Sequence, residues 1–252
     1  MIDVAPEIFA LLLLVGFVAG FIDAIAGGGG LLTLPVLIIA GAPPLTAIAT
    51  NKVQSVFGSG MAAYSYSRGG HVNLWRQKWT ALLALVAGGT GALLTSSLPT
   101  ELIRVVLPVL LIAVALFFAL KPGLDDLDRT ARLTPMAVAL TMVPLVAFYD
   151  GLIGPGAGAF YMIGFVTLAG YGVTKATAHT KLLNFSSNLG GLLVYALVAS
   201  PLWITGVAMG LAQLTGAFVG ARVAMRGGAR VIKPLVVVSA SVLAAKLIWD
   251  LL

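Results

Sequence analysis

The chain has 252 residues, 60% of them hydrophobic and only 10% charged, with a formal net charge of +6 and no cysteine. A soluble domain carries about 25% charged residues, so these few polar side chains cannot cover a water-facing surface. With a mean hydropathy of +1.05, the chain reads as a polytopic membrane protein. Disulfides, thiolate metal sites and cysteine nucleophiles are excluded. The basic residues sit mainly in loops and read as membrane orientation, not as nucleic-acid binding.

In chain order, the stretch MIDVAPEIF lacks a basic signal region, so the first apolar segment is expected to be retained. A helix is expected over 8–26, interrupted by "DAIAGGGG" at 23–30 and followed by a short helix over 31–40. Further helices are expected over 45–67, 77–98 and 101–120, then a polar linker, "KPGLDDLDRTAR", at 121–132. Helices over 133–152, 158–169, 173–198, 202–224 and 230–251 complete the chain. The segments 31–40 and 158–169 fall short of the ~20 residues a crossing needs, and both follow glycine-rich breaks.

The two sides of the linker echo each other. "FIDAIAGGG" at 21–29 aligns with "FYDGLIGPG" at 148–156, pairing Asp23 with Asp150, Gly27 with Gly154 and Gly29 with Gly156. "ATNK" at 49–52 aligns with "AHTK" at 178–181, Tyr66 falls on Tyr195, and "TGA" recurs at 90–92 and 215–217. This order indicates a duplication, with repeats over 1–120 and 133–252 joined by 121–132. Basic residues cluster at 68–78, 121–132 and 222–233, whereas the connections at 41–44 and 199–201 are uncharged. The positive-inside rule puts all three clusters in the cytoplasm only if each broken pair enters and returns as a hairpin. The expected fold is all-α and polytopic: two inverted repeats, each a broken, re-entrant hairpin plus three transmembrane helices.

Charges inside apolar helices cost about 3 kcal/mol or more at the bilayer centre and mark function. Asp23, Asp150, Lys52 and Lys181 are such charges, in duplicated pairs. One reading makes them internal ion pairs, Asp23–Lys181 and Asp150–Lys52, that hold the halves together. The other makes the lysines part of an anion site. Thr177, Thr180, Lys181, Asn184, Ser187, Asn188 and Gly191 form one polar stripe at helical spacing. Asn51, Lys52, Ser55, Gly58, Ser59 and Ala62 form the matching one. Packing accounts for Gly58, Ser59, Gly190 and Gly191 but not for a lysine in each stripe. The glycine breaks would expose the N-termini of the two short helices, whose free N–H groups and positive dipole ends bind anions. Unwound backbone at that depth is tolerated only around a polar cavity or against protein. The expected substrate site is therefore Gly28, Gly29, Gly30, Asn51, Lys52, Ser55, Gly156, Ala157, Gly158, Thr180, Lys181, Asn184 and Ser187. Asp23, Asp150 and His179 are candidate proton carriers. Trp75, Trp79, Trp203 and Trp249 read as interfacial belts, and Arg222 as a cytoplasmic anchor.

At these residues the sequence resembles the sulfite exporter TauE/SafE family, also called toluene-sulfonate uptake permeases. The resemblance rests on "GFVAGFIDAIAGGGGLLTLPVL", "ATNKVQSVFGS", "GLIGPGAGAF" and "AHTKLLNFSSNLGGLLVYA" and runs over nearly the whole chain. It implies an inner-membrane carrier of sulfite, organosulfonates such as sulfoacetate, or related oxyanions. The second half departs from strict repetition, with Pro155 for Gly28 and His179 for Thr50, which would make the site asymmetric. The leading expectation is a secondary transporter, an exporter working by alternating access. A passive anion channel would need a continuous polar pore, whereas the polar residues cluster centrally. An intramembrane enzyme lacks any H-E-x-x-H or Ser/His/Asp pattern, the only histidines being His71 and His179. No nucleotide loop, metal or cofactor is expected, and the partners are a small anion, lipid and a possible second copy packed through small-residue faces such as Gly88, Gly89 and Gly91.

Overall fold

A computed structural model describes residues 6–95 and 125–249. Among these, every regular element is a helix. The elements are α1 (Pro6–Ala26), α2 (Gly29–Ile39), α3 (Pro44–Arg68), a 3₁₀ turn (Trp75–Gln77) and α4 (Lys78–Thr95). After the linker come α5 (Pro135–Leu140), α6 (Met142–Leu152), α7 (Ala157–Thr167), α8 (Val173–Val198), α9 (Trp203–Gly227) and α10 (Ala229–Trp249). The helix expected over 101–120 lies outside the described residues. The single helix expected over 133–152 is two: α5 stops at Leu140, the residue whose carbonyl would need the N–H that Pro144 lacks.

Among the described residues, four segments are long and apolar enough to cross a membrane: Pro6–Ala26, Trp75–Thr95, Pro135–Leu152 and Trp203–Gly227. Helices α3 and α8 are as long, 25 and 26 residues, but carry the polar stripes. Those stripes are buried, with Lys52 fully hidden and Lys181 1% exposed, while Leu145 and Leu197 stand 71% and 86% exposed. Leucine outside and lysine inside is the distribution of a protein whose solvent is lipid. Trp75 and Trp79 are also exposed, with Lys78 lying over both rings. The Arg222 guanidinium stacks on Phe218, 3.8 Å from the ring centroid.

Both short helices double back on the helix before them. Gly29 packs against Ala19 and Asp23 of α1, and Leu12, near the start of α1, shares a buried cluster with Leu34 and Leu37 of α2. Gly164 of α7 packs against Met142 at the start of α6. Each hairpin rests on helices of the other half. Helix α1 lies along α9, where a Cβ on Gly216 would fall 1.9 Å from the Phe17 carbonyl oxygen. Helix α4 lies along α6 and α8, where a Cβ on Gly91 would fall 2.0 Å from the Phe148 carbonyl and one on Gly88 2.4 Å from the Ser187 carbonyl. Gly88, Gly89 and Gly91 face neighbouring helices of the same chain.

The described part of the linker is held in place. Asp126 accepts from Thr174 (N at 3.0 Å, Oγ1 at 2.7 Å) and from the Ala229 N–H at 2.9 Å, joining the starts of α8 and α10. Asp128 accepts from the Gly172 N–H and from Lys175 Nζ. For Asp126, partial burial pushes the carboxyl up, but the hydrogen bonds from Ala229 and Thr174 outweigh it and hold the group below the ordinary range. For Asp128, the Gly172 hydrogen bond and then Lys175 do the same.

Candidate functional site

The two hairpin tips meet. A Cβ on Gly27 would lie 2.6 Å from the Gly158 carbonyl carbon, and one on Gly158 would lie 2.7 Å from Gly27 Cα. Contact that close demands glycine on both sides. The turns also need positive φ, +71° at Gly27, +95° at Gly154 and +84° at Gly156. The short helices start earlier than expected, by two residues at Gly29 and by one at Ala157, so glycines are part of their first turns.

A broken helix leaves main-chain carbonyls unpaired at its end, where the dipole is negative. Here the same two side-chain types cap both ends. Lys181 of α8 donates to the Asp23 carbonyl, and Tyr66 donates to the next one, Ala24, at 3.0 Å. Lys52 of α3 donates to the Asp150 carbonyl, and Tyr195 to the next, Gly151, at 3.0 Å. Each lysine crosses from the opposite half, and each tyrosine comes from the same half. Lys52 Nζ also reaches Asp150 Oδ1 at 2.8 Å and Asn188 Oδ1 at 3.0 Å, so its three protons have three acceptors. Lys181 Nζ lies 3.7 Å from Asp23 Oδ2.

The carboxylates themselves are held differently. Asp23 Oδ1 accepts the N–H groups of Gly28 at 2.9 Å and Gly29 at 3.2 Å, sitting on the N-terminus of α2. Asp150 turns instead to Lys52, to Ser187 Oγ and to Asn188 Nδ2. The counterpart of Gly28 is Pro155, which has no N–H to offer.

Between the tips lies a narrow polar cavity of about 20 Å³ lined by Asp23, Gly28, Gly30, Asn51, Ser55, Ser59, Asp150, Gly154, Gly156, Ala157, Gly158, Asn184 and Asn188. That is room for about one water. Two amides are notable. Asn51 Oδ1 accepts from Thr33 at 2.7 Å and from Gln54 at 2.9 Å, while among the described residues its Nδ2 has no hydrogen-bond partner. Asn184 Oδ1 accepts from Asn188, and its Nδ2 is likewise unspent. Both residues are more than nine-tenths buried, and each Nδ2 lies 3.1 Å from where a Cβ would stand on a tip glycine, Gly30 and Gly158 respectively.

Of the expected site residues, Gly28, Gly30, Asn51, Ser55, Gly156, Ala157, Gly158 and Asn184 line this cavity, as do Asp23 and Asp150. Lys52 and Lys181 do not; they stand behind the carboxylates, in the ion-pair arrangement that was the alternative reading. Gly29 is spent on Asp23, Ser187 on Asp150, and Thr180 Oγ1 on the Ala176 carbonyl of its own helix. His179 stands apart from the other candidates. It packs on Phe165 and Tyr171 and bonds Gln77, away from the cavity, because its ring leaves α8 on the side facing the loop before α4. Ser59, Gly154 and Asn188 line the cavity without having been in the expected set. Asn188 was legible as the next residue of the α8 stripe. The capping role of Tyr66 and Tyr195 had a signal too, since they coincide when the halves are aligned.

Two broken hairpins meeting tip to tip around a buried polar cavity, inside a body of apolar helices, define a membrane transporter. The chain matches the family described as Sulfite exporter TauE/SafE over residues 12–247, and it belongs to that family. It is 52% identical to a Sinorhizobium protein named "Probable membrane transporter protein ORF9", over 99% of this chain and 96% of that one. It is 43% identical to "Probable membrane transporter protein YfcA" of Escherichia coli strain K12, over 98% and 92%. A Haemophilus influenzae protein, "Probable membrane transporter protein", is 40% identical over 98% and 97%. No solved structure matches the chain significantly.

Proposed function

We propose that the protein is a secondary transporter that exports small sulfur-containing anions, sulfite or an organosulfonate such as sulfoacetate, by alternating access. The observation that carries this is the pair of unspent asparagine donors, Asn51 Nδ2 and Asn184 Nδ2, each beside the glycine tip of a short helix. Neutral N–H donors backed by helix dipoles suit a desolvated anion. The ammonium groups contribute from behind by balancing the two carboxylates, so the four charged groups sum to zero when all are ionised. A sulfonate is larger than the one water that about 20 Å³ admits. Binding then requires the tips to part, which favours a carrier that alternates over a permanently open channel. The family's name supports the sulfur oxyanion class. In this reading the halves are inverted, the membrane is the inner membrane, and the basic segments 68–78, 121–132 and 222–233 face the cytoplasm. Asp23 and Asp150, the two carboxylates at the cavity, are the groups placed to carry a coupling proton.

The test is a thermal-shift series on detergent-solubilised protein with sulfite, sulfoacetate, taurine, sulfate, thiosulfate and acetate. Wild type is expected to be stabilised saturably by a sulfur oxyanion, and Asn51→Ala and Asn184→Ala to lose most of that response. An equal response in both variants, or none in wild type, removes the site.

A further inference from the structure

The two hairpin tips are duplicated in sequence yet differ in what occupies them, and the difference bears on where an anion sits. We infer that the Asp23 carboxylate is a tethered internal anion on the N-terminus of α2, and that the transported anion's charged group is received at the N-terminus of α7. This rests on the anion site proposed above and assigns its polarity.

Four observations carry it. Asp23 Oδ1 already takes the Gly28 and Gly29 N–H groups, which open the first turn of α2. Asp150, at the matching position, leaves α7 uncapped and bonds Lys52, Ser187 and Asn188 instead. Pro155 stands where the donor equivalent to the Gly28 N–H would be, so a carboxylate at 150 finds one fewer amide there. At α7 the neighbouring donor, Asn184 Nδ2, is unspent on a residue 5% exposed, beside Gly158. One helix end thus holds its own carboxylate and the other keeps its dipole for a ligand, although each has a spare amide donor beside it, Asn51 at α2 and Asn184 at α7. The substrate's second group, a carboxylate in sulfoacetate, would have to displace Asp23 to use the α2 end. The site therefore favours ions with one compact charged group.

The experiment is calorimetric titration of the full-length protein with sulfite and with sulfoacetate. Variants are Asp23→Ala, Asp150→Ala and Pro155→Ala, each checked for a wild-type elution profile. Asp23→Ala and Asp150→Ala each remove one carboxylate and leave one lysine unbalanced, and only the first bares the Gly28 and Gly29 amides of α2. Asp23→Ala is expected to bind sulfoacetate at least threefold tighter than Asp150→Ala does. Pro155→Ala restores an N–H at α7 and is expected to bind both anions at least tenfold more weakly than wild type. A cryo-electron microscopy structure of Pro155→Ala, without added anion, should show the Asp150 carboxylate moved onto the restored amide. Equal affinities for the two Asp variants would overturn the inference while leaving the anion site intact. So would Pro155→Ala binding like wild type with Asp150 still on Lys52. If wild type binds neither anion, the proposed transport function falls, and the assignment of its anion with it.

Discussion

An ammonium group placed on a main-chain carbonyl explains why lysine, and not arginine, stands at 52 and 181. Lys52 has a carbonyl, a carboxylate and an amide oxygen around a single nitrogen, a set that suits three protons on one atom and not a planar fork. Lys52→Met is expected to leave Asp150 as an uncompensated buried charge and to cost about 3–5 kcal/mol. Lys52→Met combined with Asp150→Asn should recover part of that loss, as read from melting of the single and double variants in one detergent. Tyr66→Phe orphans the Ala24 carbonyl and should cost about 1–3 kcal/mol by the same measurement, with the helical content of the folded protein unchanged. At this scale the sequence displayed the charges and their pairing across the halves. It did not show that the lysines spend a proton on main chain, because a carbonyl carries no residue-type signature. The placement of His179 away from the cavity was hidden for a related reason. A titratable ring one residue from a stripe looks close to it, but 100° of helix turn takes it to another face.

The helices were legible as elements because long apolar runs and glycine or proline breaks are strong local signals, and most boundaries fall within a few residues of those expected. Packing between helices was less legible. Glycines along α4 look interchangeable in sequence, yet their surroundings differ. A Cβ on Gly91 would meet the Phe148 carbonyl oxygen at 2.0 Å, whereas the nearest atom to one on Gly89 is 3.4 Å away. Gly91→Ala is therefore expected to push α4 off α6 and destabilise by about 1–3 kcal/mol. Gly89→Ala should be neutral or stabilising by up to about 1 kcal/mol, since alanine is the better helix former. Melting of the two variants side by side checks the contrast. The split of α5 from α6 follows from a single residue, Pro144, inside a run whose hydropathy reads as continuous.

For the whole molecule, the linker is more than a tether, since Asp126 fastens the starts of α8 and α10. Its composition marked it as a polar connection, and nothing local to it named the partners. Asp126 and Asp128 both titrate below the ordinary carboxylate value when folded, so the stability they contribute is present above about pH 4 and is lost as pH falls through their folded values. Asp126→Ala should lower stability by about 1 kcal/mol at neutral pH, the cost of a lost helix cap. Melting from pH 7 to pH 3 should show that difference shrinking below about pH 4 as wild type loses the same contacts. The exchange of supports between halves also has a temporal side. The Asp23 carboxylate waits for its counter-ion Lys181, 158 residues later, a gap of roughly 10–30 s at ~5–20 residues per second of synthesis. Throughout that interval the first hairpin is a nascent segment with a buried carboxylate and no counter-ion. Its seating is therefore a late, post-insertion event, and a ribosome stalled before α8 leaves behind a half-protein fit for the quality-control proteases of the membrane.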